Sequence, residues 1–240
     1  MKKRQITIKD IAKALHISPS TVSRSLADHP DISQETKNIV NAYAREHKYK
    51  PNALALSLRT NNTKTIGVIL PQIVHYFFSS VLSGIEDEAE KGGYRVIICQ
   101  SNENYEKEVK GAQALLEARV CGVLASVAKT TTIYNHFQEL IDSDIPMVFF
   151  DRICTGILTD RVVVDDYAGV CSAVEYLIRS GCRRIAFFGS PSHLAISNNR
   201  RMGYEDALRK NGLPVDKELI KICDNYTEAL RLTPELLSLP

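Results

Sequence analysis

No apolar stretch in this chain of 240 residues is long enough to cross a bilayer as a helix, and its first residues run into a polar, capped segment instead of an apolar signal core. A cytoplasmic protein with no membrane partner is expected. The six cysteines, Cys99, Cys121, Cys154, Cys171, Cys182 and Cys223, are scattered without a C-x-x-C pair or a partnering histidine. They read as reduced, partly buried thiols, with no zinc site or disulfide framework. Nothing resembles G-x-G-x-x-G, a Walker loop or a nucleophile elbow, and His75, His136 and His193 are too isolated to form a catalytic or metal set. No cofactor, metal or enzymatic chemistry is expected.

A net charge of +2 hides an asymmetry. Up to Lys64, twelve Lys and Arg face five Asp and Glu, a surplus of seven positive charges, so the remainder carries a net five negative ones. A basic N-terminal quarter on a near-neutral or acidic body is the electrostatic footprint of a nucleic-acid-binding module.

Within that quarter, the run from Thr7 to Arg24 predicts two short helices joined by a tight turn. Thr7 and Asp10 make a capping-box-like start, with Ile8, Ile11, Ala12 and Leu15 at helical spacing. Ser18 is a good N-cap and Pro19 suits the first helical position, where its missing N–H costs nothing. Packing Val22 and Leu26 on Ile11 and Leu15 leaves Pro19, Ser20, Thr21, Ser23 and Arg24 outward, a small polar face with one arginine that suits the DNA major groove. Ser33 can cap a third helix, whose apolar face includes Ile39, Val40, Ala42, Tyr43 and Ala44, ending near His47 and Lys48. A short segment from Asn52 to Arg59, with Leu54 and Leu58 one turn apart, is too short to hold a helix unaided.

From Ile66 the periodicity changes. Strand-like runs at 66–70, 95–99, 122–127 and 147–150 alternate with helical patterns at 78–91, 107–118 and 132–143. A second series places strands near 162–164, 184–188 and 219–223 and helices near 169–179, 200–210 and 227–237. Such alternation predicts doubly wound parallel sheets in two α/β halves. Ligands on open α/β sheets sit beyond the carboxyl ends of strands. There stand Tyr76 or Phe77, placed to stack on a sugar or base ring if they are not core residues, and Asp151 behind the fourth strand. Asp165 ends the V-V-V run, and Asn225 or Tyr226 follows the last strand. The acidic run from Gly84 reads as a solvated helix face ending in a glycine cap.

The run from Ile6 to Leu26, the Tyr-Lys-Pro-Asn at 49–52 and the leucine-bearing segment behind it together resemble the DNA-binding headpiece of the LacI/GalR family of bacterial transcription regulators. The resemblance implies residues 1–48 as helix-turn-helix headpiece and 49–64 as hinge helix and linker. Residues 65–164 and 165–240 then form the two halves of a periplasmic-binding-protein-like effector domain, ending partway through the second half. Pro19, Ser20 and Arg24 match base-reading positions, and Leu58 matches the hinge leucine that wedges into the minor groove, with Ala55 one turn before it. Thr7, Ser18, Thr21, Ser23, Asn52 and Arg59 match contacts to phosphate or groove edge. In the effector domain the resemblance makes Asp151 a ligand hydroxyl acceptor and Arg200 the ligand-clamping arginine. The implied function is a repressor that binds a near-palindromic double-stranded operator as a homodimer, controlled by a sugar or sugar phosphate. The alternatives are a truncated DNA-binding form without effector response and a sugar-binding protein on the same scaffold.

Overall fold

The computed structural model describes residues 6–50, 63–223 and 225–239. The chain divides into two compact units, Met1–Thr63 and Lys64–Pro240. Among the described residues no helix is long and apolar enough to cross a membrane.

Among the described residues the first unit contains three helices, α1 (Ile8–Ala14), α2 (Pro19–Leu26) and α3 (Gln34–Glu46). Each begins on a hydroxyl cap: Thr7 forms a reciprocal capping box with Asp10, Ser18 accepts from the N–H of Thr21, and Ser33 accepts from that of Thr36. Ile11, Ala12, Val22, Val40 and Ala44 make the core, with Leu15, Leu26 and Tyr43 packed around it. Two of the residues expected on the inner face of α3 are turned away: Ile39 is 51% exposed and Ala42 is exposed. With Val40 and Ala44 forming the seam, neighbours displaced by roughly 100° about the helix axis point elsewhere.

The inner position near the start of α3 is taken by Lys37. It is buried, and its Nζ lies 2.8 Å from Asp28 Oδ1 while donating to the Asp28 carbonyl at 3.3 Å. Asp28 follows the end of α2 in the left-handed region, φ 52°, where Asp28 N–H reaches the Ser25 carbonyl and His29 N–H that of Arg24. The lysine thus ties the exit of α2 to α3.

The second unit is built on five parallel strands, β1 (Thr65–Leu70), β2 (Arg95–Gln100), β3 (Gly122–Ala125), β4 (Met147–Phe150) and β5 (Asp160–Val162), in the order β2-β1-β3-β4-β5. Helices α4 (Tyr76–Lys91), α5 (Tyr105–Glu117) and α6 (Asn135–Asp142) connect the first four. Alternation along the strands sorts side chains between two cores. Val68 and Leu70 join Phe78, Leu82 and Phe150, while Ile69 and Phe149 join Leu115, Val123, Phe137 and Leu140. A sheet with an apolar layer on each face must carry helices on both. α4 ends as its sequence implies: Gly93 adopts φ 70°, and the next residue, Tyr94, donates back to Ala89.

The run expected to open the second series instead completes the first sheet. β5 pairs with β4, Val148 opposite Asp160 and Phe150 opposite Val162, and Val163 and Val164 stand exposed beyond it. Its three residues are all exposed, as befits an edge strand. The second series then forms α7 (Asp166–Arg179), β6 (Phe187–Gly189), α8 (Ala195–Lys210), β7 (Ile220–Ile222) and α9 (Tyr226–Leu237). β6 and β7 make a two-stranded parallel sheet. β6 is shorter than expected because it has one partner, which pairs with three residues. Tyr204 anchors this half, stacked on Phe187 with ring centroids 5.1 Å apart and donating its hydroxyl to the Ile185 carbonyl at 2.8 Å.

Lys37 holds the Asp28 carboxyl below its ordinary value of 3.8. A depressed carboxylate stabilises above its unfolded value and loses that contribution as pH falls through the folded one. Asp28→Asn should therefore lower the melting temperature of the first unit at pH 6 and remove part of its acid sensitivity below pH 4, read by circular dichroism melts across pH.

Candidate functional site

Two regions collect the polar groups. In the first unit, the start of α2 carries a hydroxyl cluster: Ser18 Oγ lies 2.7 Å from Ser20 Oγ and 2.8 Å from Thr21 Oγ1, and accepts from Thr21 N–H at 3.0 Å. Pro19, Ser20 and Arg24 are exposed, whereas Thr21 and Ser23, expected to face outward, are half-buried. The turn that sets Ser18 as cap also rotates Thr21 toward it. Thr7 is exposed but bonded to Asp10, with Oγ1 2.7 Å from Oδ2. Ser20 and Arg24 are thus the reaching groups of this face. Asn52, Ala55, Leu58 and Arg59 lie outside the described residues.

In the second unit the carboxyl edge of the larger sheet carries the polar groups. Asp151, directly after β4, adopts φ 57°, donates its N–H to the Val162 carbonyl at 3.1 Å and receives Ser126 Oγ at 3.5 Å. Ser126 directly follows β3 and is fully buried. Burial pushes the Asp151 carboxyl above its ordinary range; Arg152 and Arg200 pull it down, and Asp166 pushes it further up. Arg152 donates from Nη1 to both oxygens of Glu103, at 2.9 and 2.8 Å, so its charge is matched locally. The loop after β3 is held rigidly. Glu103 accepts from Lys129 N–H at 2.9 Å, and the fully buried Glu108 accepts from Ala128 N–H at 2.6 Å, Thr131 Oγ1 at 2.7 Å and His136 Nε2 at 3.0 Å. His136 is therefore a core histidine, and His193 Nε2 bonds to the Lys129 carbonyl.

From the second series come Arg200 and Asp166, 2.7 Å apart between Nε and Oδ1. Arg200 keeps 46% of its side chain accessible and Asp166 10%. The pair depends on how closely α7 and α8 approach. A Cβ on Gly203 would lie 2.4 Å from the Tyr167 carbonyl oxygen, so any other residue there would push the helices apart. One turn further, Tyr167 donates its hydroxyl to Asp206 Oδ2 at 3.1 Å. Arg200, Gly203 and Asp206, at successive helical turns, fix the first turn of α7 against α8.

Of the residues singled out from the sequence, Asp151 and Arg200 are close enough for their charges to interact. Asp165 is exposed and serves as N-cap of α7, accepting from Ala168 N–H at 2.9 Å. Its neighbour Asp166, missed in the sequence, holds the arginine. The signal was available, since a cap at Asp165 places Asp166 inside the first turn. Tyr76 and Phe77 open α4 and are 86% and 49% exposed; Phe78 is the buried member, edge-on to Phe150. Tyr226 opens α9, is 77% exposed, and follows Asn225, which caps that helix.

Residues 63–240 match the family of periplasmic binding proteins and sugar binding domain of LacI family, and residues 7–52 match the bacterial regulatory proteins of the lacI family. The chain belongs to the LacI family. The ribose operon repressor of Bacillus subtilis is 34% identical over 97% of this chain and 69% of that repressor. A solved LacI transcriptional regulator from Alkaliphilus metalliredigens, complexed with D-xylulofuranose, is 29% identical with a TM-score of 0.59, covering 70% of this chain and 60% of its own. The lac repressor dimer bound to operator and the anti-inducer ONPF shares the fold at 21% identity, with a TM-score of 0.81 over 98% of this chain and 70% of that chain.

A carboxyl raised above its unfolded value contributes stability that is present below that value and lost as pH rises through the folded one. Ionised Asp151 is thus a burden on the second unit at neutral pH. Asp151→Asn should raise the melting temperature at pH 7 and bring no gain at pH 4; a lower melting temperature at pH 7 would show that Arg152 and Arg200 outweigh burial.

Proposed function

We propose that this chain is a DNA-binding transcriptional regulator, a repressor, that binds a near-palindromic operator as a homodimer and responds to an uncharged sugar in the cleft beside Asp151. The observation that carries the DNA reading is the capped start of α2, which holds Ser20 and Arg24 exposed on a basic headpiece matching the family. Residues 1–48 serve as the headpiece and 49–64, with Leu58 and Ala55, as the hinge. Residues 65–164 and 165–240 serve as the effector halves. Thr7, Ser18, Thr21, Ser23, Asn52 and Arg59 position the headpiece on phosphates and groove edges. Two-fold pairing of identical headpieces reads two-fold related half-sites. Such a regulator works in the cytoplasm and has no need of enzymatic chemistry.

The charge inventory of the cleft favours an uncharged ligand over a phosphorylated one. Arg152 donates to Glu103 and lies 3.9 Å from Asp151, Lys129 stands 4.0 Å from Glu103, and Arg200 pairs with Asp166, so the cations near Asp151 are already engaged by carboxylates. Two carboxylates accept ligand hydroxyls well and repel a phosphate. The relatives support a five-carbon sugar, one being named for the ribose operon and another being complexed with D-xylulofuranose. In this reading Tyr76 and Phe77, exposed at the start of α4, offer a stacking surface, and Asp165 and Tyr226, exposed at the starts of α7 and α9, are further candidate contacts. Bound sugar shifts the balance between two arrangements of the α/β halves, and linkage carries that shift to operator affinity.

Selection of bound DNA sequences should return a two-fold motif with affinity that falls steeply as salt rises. Arg24→Ala should relax preference at one base pair per half-site, by roughly 1–3 kcal/mol of discrimination. Uniform weakening across sequences would make Arg24 a phosphate contact. Calorimetric titration should show D-ribose binding at least about tenfold more tightly than D-ribose 5-phosphate; the reverse order would overturn the uncharged-ligand reading.

A further inference from the structure

Asp151 is a shielded carboxylate without a close partner. Its side chain is 14% accessible, and among the described residues no hydrogen bond shorter than 3.5 Å, the one from Ser126 Oγ, reaches its oxygens. Arg152 is the next residue in the chain, yet its Nε stays 3.9 Å from Asp151 Oδ2, beyond hydrogen-bonding range. An ionised carboxylate has room for about four donors, and shielding from water makes each unfilled place costly. A neighbouring guanidinium would ordinarily close on it.

Glu103 supplies the reason that it does not. Both of its carboxylate oxygens accept from Arg152 Nη1, at 2.9 and 2.8 Å. The glutamate is itself fixed in place. Its Oε2 accepts from Lys129 N–H at 2.9 Å, its carbonyl accepts from Thr130 Oγ1 at 3.0 Å, and Asn102 N–H donates to the Pro71 carbonyl at 2.8 Å. Asn102 and Glu103 both stand in the left-handed region, φ 52° and 58°, a backbone cost that the surrounding bonds sustain. Arg152 also reaches the Val127 carbonyl at 3.5 Å and lies over the Phe78 ring, 5.7 Å from its centroid. Three groups other than Asp151 therefore hold the guanidinium. The arrangement recurs at the second arginine whose charge reaches Asp151, since Arg200 gives its Nε to Asp166 at 2.7 Å.

We propose that Glu103 is a positioning residue that holds the Arg152 guanidinium off Asp151, so that the Asp151 oxygens stay open to the hydroxyls of the bound sugar. What Asp151 is kept open for rests on the sugar reading; that it is kept open does not. A direct arginine contact, often bidentate, would fill the acceptor sites and would have to break before a ligand hydroxyl could use them. At 3.9 Å the cation still acts on the carboxylate through its charge while the lone pairs remain unoccupied.

Glu103→Gln keeps the shape of the side chain and gives up the charge that holds Arg152. In the full chain Arg152 should then close on Asp151, and calorimetry should show D-ribose binding about tenfold weaker. Arg152→Leu, alone or combined with Glu103→Gln, should bind D-ribose within about threefold of the wild type, because no guanidinium is left to occupy Asp151. A glutamate with a merely structural role predicts the opposite, a double variant at least as impaired as Glu103→Gln. A melting series at pH 7 needs no ligand. There Asp151→Asn should be about 2–4 °C more damaging in the Glu103→Gln background, where Asp151 has become an ion-pair partner, than in the wild-type chain. Wild-type affinity in Glu103→Gln, a double variant no better than that single one, or equal effects of Asp151→Asn in both backgrounds would each overturn the positioning role and leave the sugar reading standing. Where Glu103→Gln does not fold, Arg152→Leu alone decides, and a loss of D-ribose affinity beyond about threefold sinks the role. A wild-type chain that binds neither D-ribose nor D-xylulose overturns the sugar reading, and the melting series then decides the positioning role by itself.

Discussion

All strands of the larger sheet run in one direction, and the sheet is covered by apolar cores on both faces. That constraint decides where polar chemistry can be. Val68 and Leu70 go to one core, Ile69 to the other, and Phe149 and Phe150 divide in the same way. No ionisable group can enter such a layer without a large desolvation cost, so polar side chains appear where the strands stop. Ser126 follows Ala125 and Asp151 follows Phe150, each at the first position past the apolar run. Because the strands are parallel, these ends share one edge, and Glu103 and Glu108 brace the loops there with hydrogen bonds to backbone and side chains.

The headpiece follows a different rule. Among its described residues this small bundle has an apolar core of Ile11, Ala12, Val22, Val40 and Ala44, so its helices rely on their ends. Thr7, Ser18 and Ser33 start them, and His16, Asp28 and Lys48 take left-handed conformations where they stop. The Lys37–Asp28 pair adds a tertiary tie at the exit of α2. The exposed Arg24 side chain takes no part in these caps or in that tie, which is what a group that must match another molecule requires.

The second unit holds features that stability alone would remove. Asp151 is ionisable yet shielded, Gly203 gives up a side chain for close helix contact, and Ser197 buries an unpaired hydroxyl. Costs of this kind gather at functional sites because ligand contacts, absent from the empty protein, compensate them. Their concentration around Arg200 marks the region more firmly than any one of them.

Much of this was legible in the chain. Local chemistry fixed the caps at Thr7 and Ser18, the Pro19 start of α2, the Gly93 stop of α4 and the alternation of strands with helices, because each depends on residues within a few positions of one another. The apolar run 147–150 likewise announced Asp151 as a strand-end carboxylate. The remainder depends on partners distant in sequence or on small rotations about a helix. β5 joined the first sheet because β4 offered it a free edge, a fact absent from the V-V-V run itself. Asp166 in place of Asp165 met Arg200 because one residue of rotation at the start of α7 chose which carboxylate capped the helix and which crossed to α8. Nothing in the local sequence singles out Lys37 or Ser197; burial made one an ion-pair partner and the other an unpaired hydroxyl. Periodicity is a local property and pairing is not, so local chemistry set the order of most elements and the caps of the helices, while long-range packing settled strand lengths, sheet membership and which side chains meet.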